Sequence, residues 1–274
     1  MLSTGVCIVK KAYNEIAGKL MILSAVFSVL TVALATLFGT GGGSTAFKII
    51  YIVSSSIPML AIQIILAYGI IKEKKMIIVA CYALSAFGQL TILYNRFVIK
   101  SGLTGGFSES KNFETIPSAL SDMIFYIAMV LLIMSAMSEI KKNGKIESGK
   151  GSLGSAAVVM FVAAAVKLAR IIPIAVYADS YSAKELAKLC VCACLLAAAF
   201  VVYGIGVRNK NRSFIWMGFA FKTMASVVLM LTGSANVFSS ISGTTESVFY
   251  YMGEAVFIIY LLEKSQTPQR KKAK

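Results

Sequence analysis

Histidine is missing from this 274-residue chain, and charge of either sign is scarce, at 14% of residues. Without histidine there is no Ser-His or Cys-His nucleophilic dyad, and most haem and copper sites are excluded. A zinc site would lack its usual nitrogen ligands. Cys190, Cys192 and Cys194 do not replace them, because the helical side chain at i+2 points away from those at i and i+4. They are expected to be small buried hydrophobes. The glycine-rich stretch Gly39-Thr40-Gly41-Gly42-Gly43-Ser44 lacks the Lys-Ser/Thr pair of a phosphate-binding loop. No cofactor and no metal is expected.

What the chain has is apolar surface: 58% of residues are hydrophobic and the mean hydropathy is +0.79. That lies far outside the mixture of soluble domains. Several apolar runs approach the ~20 residues that cross a hydrocarbon core of ~30 Å. They fall at 20–38, 49–71, 76–95, 117–138, 156–178, 187–207, 214–233 and 247–262. Lipid offers backbone groups no partner, so such non-alternating segments must be helices. The expected fold is an all-α integral membrane protein with eight transmembrane helices, placed in the cell membrane. The first run, preceded by Lys10, Lys11 and Lys19, has some marks of a cleaved signal. It is taken as span 1, because its removal would spoil a repeat described below.

A net charge of +15 suggests nucleic acid until its placement is examined. Most of the 27 Lys and Arg residues lie before span 1, in 72–75, 139–155 and 208–213, and after Glu263. Basic residues hold short loops in the cytoplasm. Both termini are therefore expected inside, and no nucleic-acid partner is expected. The final residues, Gln269 to Lys274, should also attract anionic lipid headgroups.

The spans can be laid on each other in two sets of four. Tyr68-Gly69 falls on Tyr203-Gly204, and Phe125-Tyr126 falls on Phe249-Tyr250. Four helices per copy make a parallel repeat about the membrane normal. The expected divisions are a first repeat at 1–140, a Lys/Gly/Ser-rich linker at 141–155, a second repeat at 156–263 and a basic tail at 264–274.

Ionisable groups inside a bilayer cost from ~2.5 to over 10 kcal/mol, so they face a cavity or a partner. The candidates are Asp122, Glu254, Lys167, Arg170 and Lys222, with Ser85, Gln89 and Ser226 as uncharged company. At 1.5 Å per residue, Asp122, Gln89, Glu254 and Arg170 lie about 8–12 Å below the outer ends of their spans. Lys167 and Lys222 lie nearer the midplane. Two readings follow. One is an outward-facing polar pocket lined by the carboxylates Asp122 and Glu254 and the cations Lys222, Arg170 and Lys167, with Gln89, Ser85 and Ser226 as further binding groups. The other is internal ion pairing, with Asp122 and Arg170 snorkelling toward the headgroups.

At spans 3, 4, 7 and 8 the pattern resembles the YhhN/lysoplasmalogenase family of internally repeated eight-helix membrane proteins. The windows are Ser85-Ala86-Phe87-Gly88-Gln89, Ser121-Asp122-Met123-Ile124-Phe125-Tyr126, Gly218-Phe219-Ala220-Phe221 leading to Ala225-Ser226, and Tyr250-Tyr251-Met252-Gly253-Glu254. Gln89 and Ser226 stand where that family has aspartates, and Asp122 where it has histidine. The resemblance implies hydrolysis of the vinyl-ether bond of a lysophospholipid-like small molecule drawn from the membrane lipid. It gives the acid and carboxylate roles to Asp122 and Glu254, and phosphate binding to Lys222 and Arg170. The alternative is a transporter or a lipid- or solute-binding membrane protein without catalysis. Parallel repeats and kinks at Pro58 and Pro173 suit binding at a repeat interface.

Overall fold

A computed structural model describes residues 2–38, 60–94, 115–137, 139–142, 145–148, 150–232 and 237–266. The 39–44 turn, the Pro58 kink, most of the 96–116 loop and the end of the basic tail lie outside the described residues. Nearly all of what is described is helix. In order these are α1 (Leu2–Phe38), α2 (Leu60–Ile71), α3 (Lys75–Tyr94), α4 (Thr115–Ala136), α5 (Lys150–Ala169), α6 (Ile171–Val176), α7 (Ala183–Asn209), α8 (Arg212–Thr232) and α9 (Val237–Gln266). Among the described residues, five stretches are long and apolar enough to cross a membrane: Ala12–Leu34, Thr115–Ala136, Leu153–Val176, Ala183–Asn209 and Arg212–Leu231. Large apolar side chains such as Leu84, Phe87, Val158 and Leu231 stand exposed on the helix surfaces. This is the architecture of a multi-pass α-helical membrane protein.

Two local departures from the sequence expectation have physical causes. Residues 139–148, the end of the expected first repeat and the first part of the expected 141–155 linker, form a short antiparallel hairpin of β1 (Glu139–Lys142) and β2 (Lys145–Ser148), with Glu139 opposite Ser148. The span expected at 156–178 is broken at Arg170, whose N–H bonds the Lys167 carbonyl three residues back at 3.3 Å. Pro173 follows at the third position of α6, where its missing N–H removes the bond that would have continued α5.

The described helices fall into two compact units, Met1–Cys81 with Lys222–Phe257 and Tyr82–Phe221 with Ile258–Lys274. In the first unit α1 packs along α9. The Phe27 and Phe249 rings stack at 5.5 Å. Lower on the same seam Gly253 lets the backbones close up: a Cβ there would lie 3.1 Å from Met21 Cγ and 3.2 Å from the Ala17 carbonyl oxygen. The start of α1 is tied to the end of α2, since Asn14 Nδ2 donates to the Ile71 carbonyl at 3.2 Å and to Glu73 Oε1 at 3.4 Å. In the second unit α5 lies along both α4 and α7. Phe125 of α4 stacks on Phe200 of α7 at 4.6 Å, beside Tyr203 at 6.1 Å. A capping box at Ser182 and Glu185 starts α7.

The α2–α3 and α7–α8 hairpins are built alike. In each, a glycine carbonyl accepts the N–H five residues on, Gly69 from Lys74 at 2.8 Å and Gly206 from Asn211 at 2.9 Å. In each, the residue before that donor is left-handed, Glu73 at φ 52 and Lys210 at φ 53. In each, the glycine's bare face receives the residues eight and nine positions on, Ile77 and Ile78 or Phe214 and Ile215. This turn pairs Gly69 with Gly206, two residues beyond the Gly204 expected from the sequence, and so places Ser85 on Lys222 and Gln89 on Ser226 at constant spacing.

Candidate functional site

Four of the five charged candidates come together as two ion pairs, one in each unit. In the first, Lys222 of α8 donates from Nζ to Glu254 Oε1 of α9 at 2.6 Å, and both side chains are buried, at 6% and 1% exposure. The Lys222 ammonium also lies 4.9 Å from the centre of the Tyr251 ring. In the second, Lys167 of α5 donates from Nζ to Asp122 Oδ1 of α4 at 2.7 Å. It also meets Ser118 Oγ at 3.1 Å and the Ser118 carbonyl at 3.4 Å. This pair is lopsided: the Lys167 side chain is 2% exposed and that of Asp122 37%. Asp122 and Glu254, expected to share one reaction, thus belong to different units, each held by its own lysine.

The remaining candidates divide in the same way. Arg170 sits half-buried at the α5–α6 break, and Ser85 and Gln89 are half-buried on α3, all in the second unit. Ser226 is buried in the first unit, one helical turn beyond Lys222. There it lines a cavity of about 260 Å³ with Leu229 and Met230 of α8 and Ser240, Gly243, Thr244 and Ser247 of α9. Two of these hydroxyls are already committed as donors within α9. Thr244 Oγ1 bonds the Ser240 carbonyl at 2.9 Å, and Ser247 Oγ bonds the Gly243 carbonyl at 2.9 Å. Their oxygen lone pairs are what remain for a guest, so these two meet it as acceptors, while the Ser226 and Ser240 hydroxyls serve as donors or acceptors. Among the described residues no group of three or more Cys, Asp or Glu is placed to hold a metal ion.

Glu246 is the polar residue that sequence reasoning missed. It is half-buried on α9 and hydrogen-bonded to Ser28 of α1. The signal was present, since laying Phe125-Tyr126 on Phe249-Tyr250 also lays Asp122 on Glu246. Comparison with protein-family models, with curated proteins and with solved structures finds no match to the chain.

Proposed function

We propose that this multi-pass membrane protein binds the polar end of a small amphipathic molecule in the α8–α9 cavity and does not transform it. The observation that carries the reading is the juxtaposition on one helical hairpin of a hydroxyl-walled cavity and a closed ion pair. The cavity's acceptor-rich wall suits a headgroup bearing hydroxyl or ammonium donors. Its volume of about 260 Å³ falls below the ~300–1,000 Å³ usual for whole drug-sized ligands, which favours a headgroup with its chain outside. A lysophospholipid with an ethanolamine head brings such an ammonium, with its phosphate toward the Ser226 and Ser240 hydroxyls.

The pairing argues against catalysis. Cleavage of a vinyl ether needs one group to deliver a proton to carbon and a carboxylate to steady the cation that forms. Glu254 already spends an oxygen on Lys222 at 2.6 Å, and Asp122 spends one on Lys167 at 2.7 Å. The oxygen so engaged is closed to a substrate, and the Lys222 charge is likewise engaged rather than offered to phosphate. Kinship with the YhhN-like proteins is part of this proposal, supported by the matched hairpins, whose spacing lays Gln89 on Ser226.

The test is lysophosphatidylethanolamine binding to the full-length protein in lipid nanodiscs, beside fatty-aldehyde release from its vinyl-ether analogue. Binding weakened at least tenfold by Ser226→Leu, with no aldehyde formed, is the expected result. Aldehyde release that Glu254→Gln abolishes would establish hydrolysis instead, and binding untouched by Ser226→Leu would remove the cavity from the account.

A further inference from the structure

The α1–α9 seam of the first unit and the α4–α5 seam of the second carry the same polar ladder with one member exchanged. Ser242, Glu246, Phe249 and Tyr250 of α9 stand at the spacing of Ser118, Asp122, Phe125 and Tyr126 of α4. On α4, Lys167 spans both polar rungs, reaching Ser118 Oγ at 3.1 Å and Asp122 Oδ1 at 2.7 Å. On α9 the same rungs are met from α1 by hydroxyls alone. Thr31 Oγ1 lies 3.0 Å from Ser242 Oγ, and Ser28 bonds Glu246. Thr31 therefore stands where the sister seam has Lys167.

The hydrogens on this hydroxyl pair have a common target. Thr31 Oγ1 donates to the Phe27 carbonyl at 2.8 Å, and Ser242 Oγ approaches the same oxygen at 3.4 Å. Glu246 stands four residues along α9 from Ser242, on the same helix face as this pair. A carboxylate, two hydroxyl oxygens and the Ser28 hydroxyl are thus gathered where the sister seam holds an ammonium. Among the described residues, the ionisable groups of α1, α8 and α9 stand off. Lys222 of α8 is paired with Glu254, eight residues along α9. Glu15 and Lys19 of α1 lie nine or more residues from Ser28.

We infer that Glu246, Ser242, Thr31 and Ser28 form a site for an exchangeable monovalent cation, a proton or Na⁺, in the place that Lys167 fills in the sister seam. One carboxylate balances one positive charge, and hard oxygen donors suit either ion. The compensation is needed because an uncompensated carboxylate among membrane helices is costly. The site stands on its own geometry, whatever the cavity takes. It nevertheless adjoins that cavity: Gly243 lines the cavity, and a Cβ there would lie 3.3 Å from Thr31 Cγ2. Loading the seam can thereby be felt across α9, as coupling between a driving ion and a guest requires.

Two measurements on the full-length protein in nanodiscs separate the ions. Thermal unfolding is followed as Na⁺ replaces K⁺ at constant ionic strength, and the carboxylic C=O stretch is followed by infrared difference spectroscopy as pH is varied. A sodium site raises Tm by a few degrees for each tenfold increase in Na⁺ above its dissociation constant. A proton site shows a protonated-carboxyl band that titrates away. Whichever response appears should vanish in Glu246→Gln and in Thr31→Lys, which brings its own ammonium. Should Thr31→Lys fail to fold, the isosteric Glu246→Gln still decides. Neither response in the wild-type protein, or one that survives Glu246→Gln, overturns the inference.

Discussion

Lys222 and Glu254 lie 32 positions apart in the chain and meet at 2.6 Å inside the α8–α9 hairpin, both almost wholly removed from solvent. Two charges so placed are cheap together and expensive apart. Removing one partner of a buried pair costs about 3–5 kcal/mol, because the other is left as an uncompensated charge. Lys222→Met and Glu254→Leu should each lower Tm in nanodiscs by an amount of that order. The double variant should recover most of the loss, since two apolar side chains of similar volume ask nothing of lipid. Additive losses would show that the pair is not the unit that stabilises the hairpin.

The charges themselves were legible in the sequence, because Asp122, Lys167, Lys222 and Glu254 interrupt apolar runs and a membrane makes such interruptions conspicuous. Their partners were not. Nothing local joins Lys167 to Asp122 across 45 positions, and helix periodicity says which face a residue shares but not which helix it meets. The α5 break at Arg170 was half legible: Pro173 announces a disturbance, while its placement three residues earlier depends on the bond Pro173 fails to make. The β1–β2 hairpin was hidden because lysine, glycine and serine are as common in linkers as in short exposed hairpins. Glu246 was hidden for another reason, since it stands at the edge of its apolar run and looked like the end of a loop.

The second ion pair is unequal, and its variants should be unequal too. Lys167 is sealed in, at 2% side-chain exposure, while Asp122 is 37% exposed. Asp122→Leu strands a sealed ammonium beside Ser118 and the Phe200 ring. Lys167→Leu leaves a carboxylate that water or headgroups can reach. Asp122→Leu should therefore lower Tm more than Lys167→Leu. The reverse order would mean that the lysine's contact with the Phe200 ring, at 6.0 Å, matters more than its charge.

Close helix approach gives the next prediction its sign. In a helix interior alanine is favoured over glycine by about 1 kcal/mol, and Gly154, with open space where its Cβ would stand, should collect that gain as Gly154→Ala. At Gly253 the same methyl would stand 3.2 Å from the Ala17 carbonyl oxygen, a backbone atom that cannot swing aside, and 3.1 Å from Met21. Overpacking costs about 1–3 kcal/mol, so Gly253→Ala should be neutral to destabilising and Gly253→Val clearly destabilising. Thermal unfolding of the three variants checks this. A stabilised Gly253→Ala would show that the α1–α9 seam is looser than these distances imply.

The matched hairpins also predict a topology. Glu73 and Lys210 occupy the same left-handed position in the two turns, and both turns are flanked by basic residues: Lys72, Lys74 and Lys75 in one, Arg208 and Arg212 in the other. Such residues hold a turn in the cytoplasm. Between Ser182 and Lys210 runs α7, whose 27 residues extend about 40 Å, longer than the ~30 Å hydrocarbon core. Asp179, exposed in the short turn before α7, must then face the opposite side. Single cysteines placed at 73, 179 and 210 in a cysteine-free background can be probed in intact cells with a thiol reagent that does not cross membranes. Positions 73 and 210 should be protected until the membrane is opened, and position 179 should be labelled at once. If 179 and 210 share a side, α7 does not span, and the repeat built on these two hairpins fails with it.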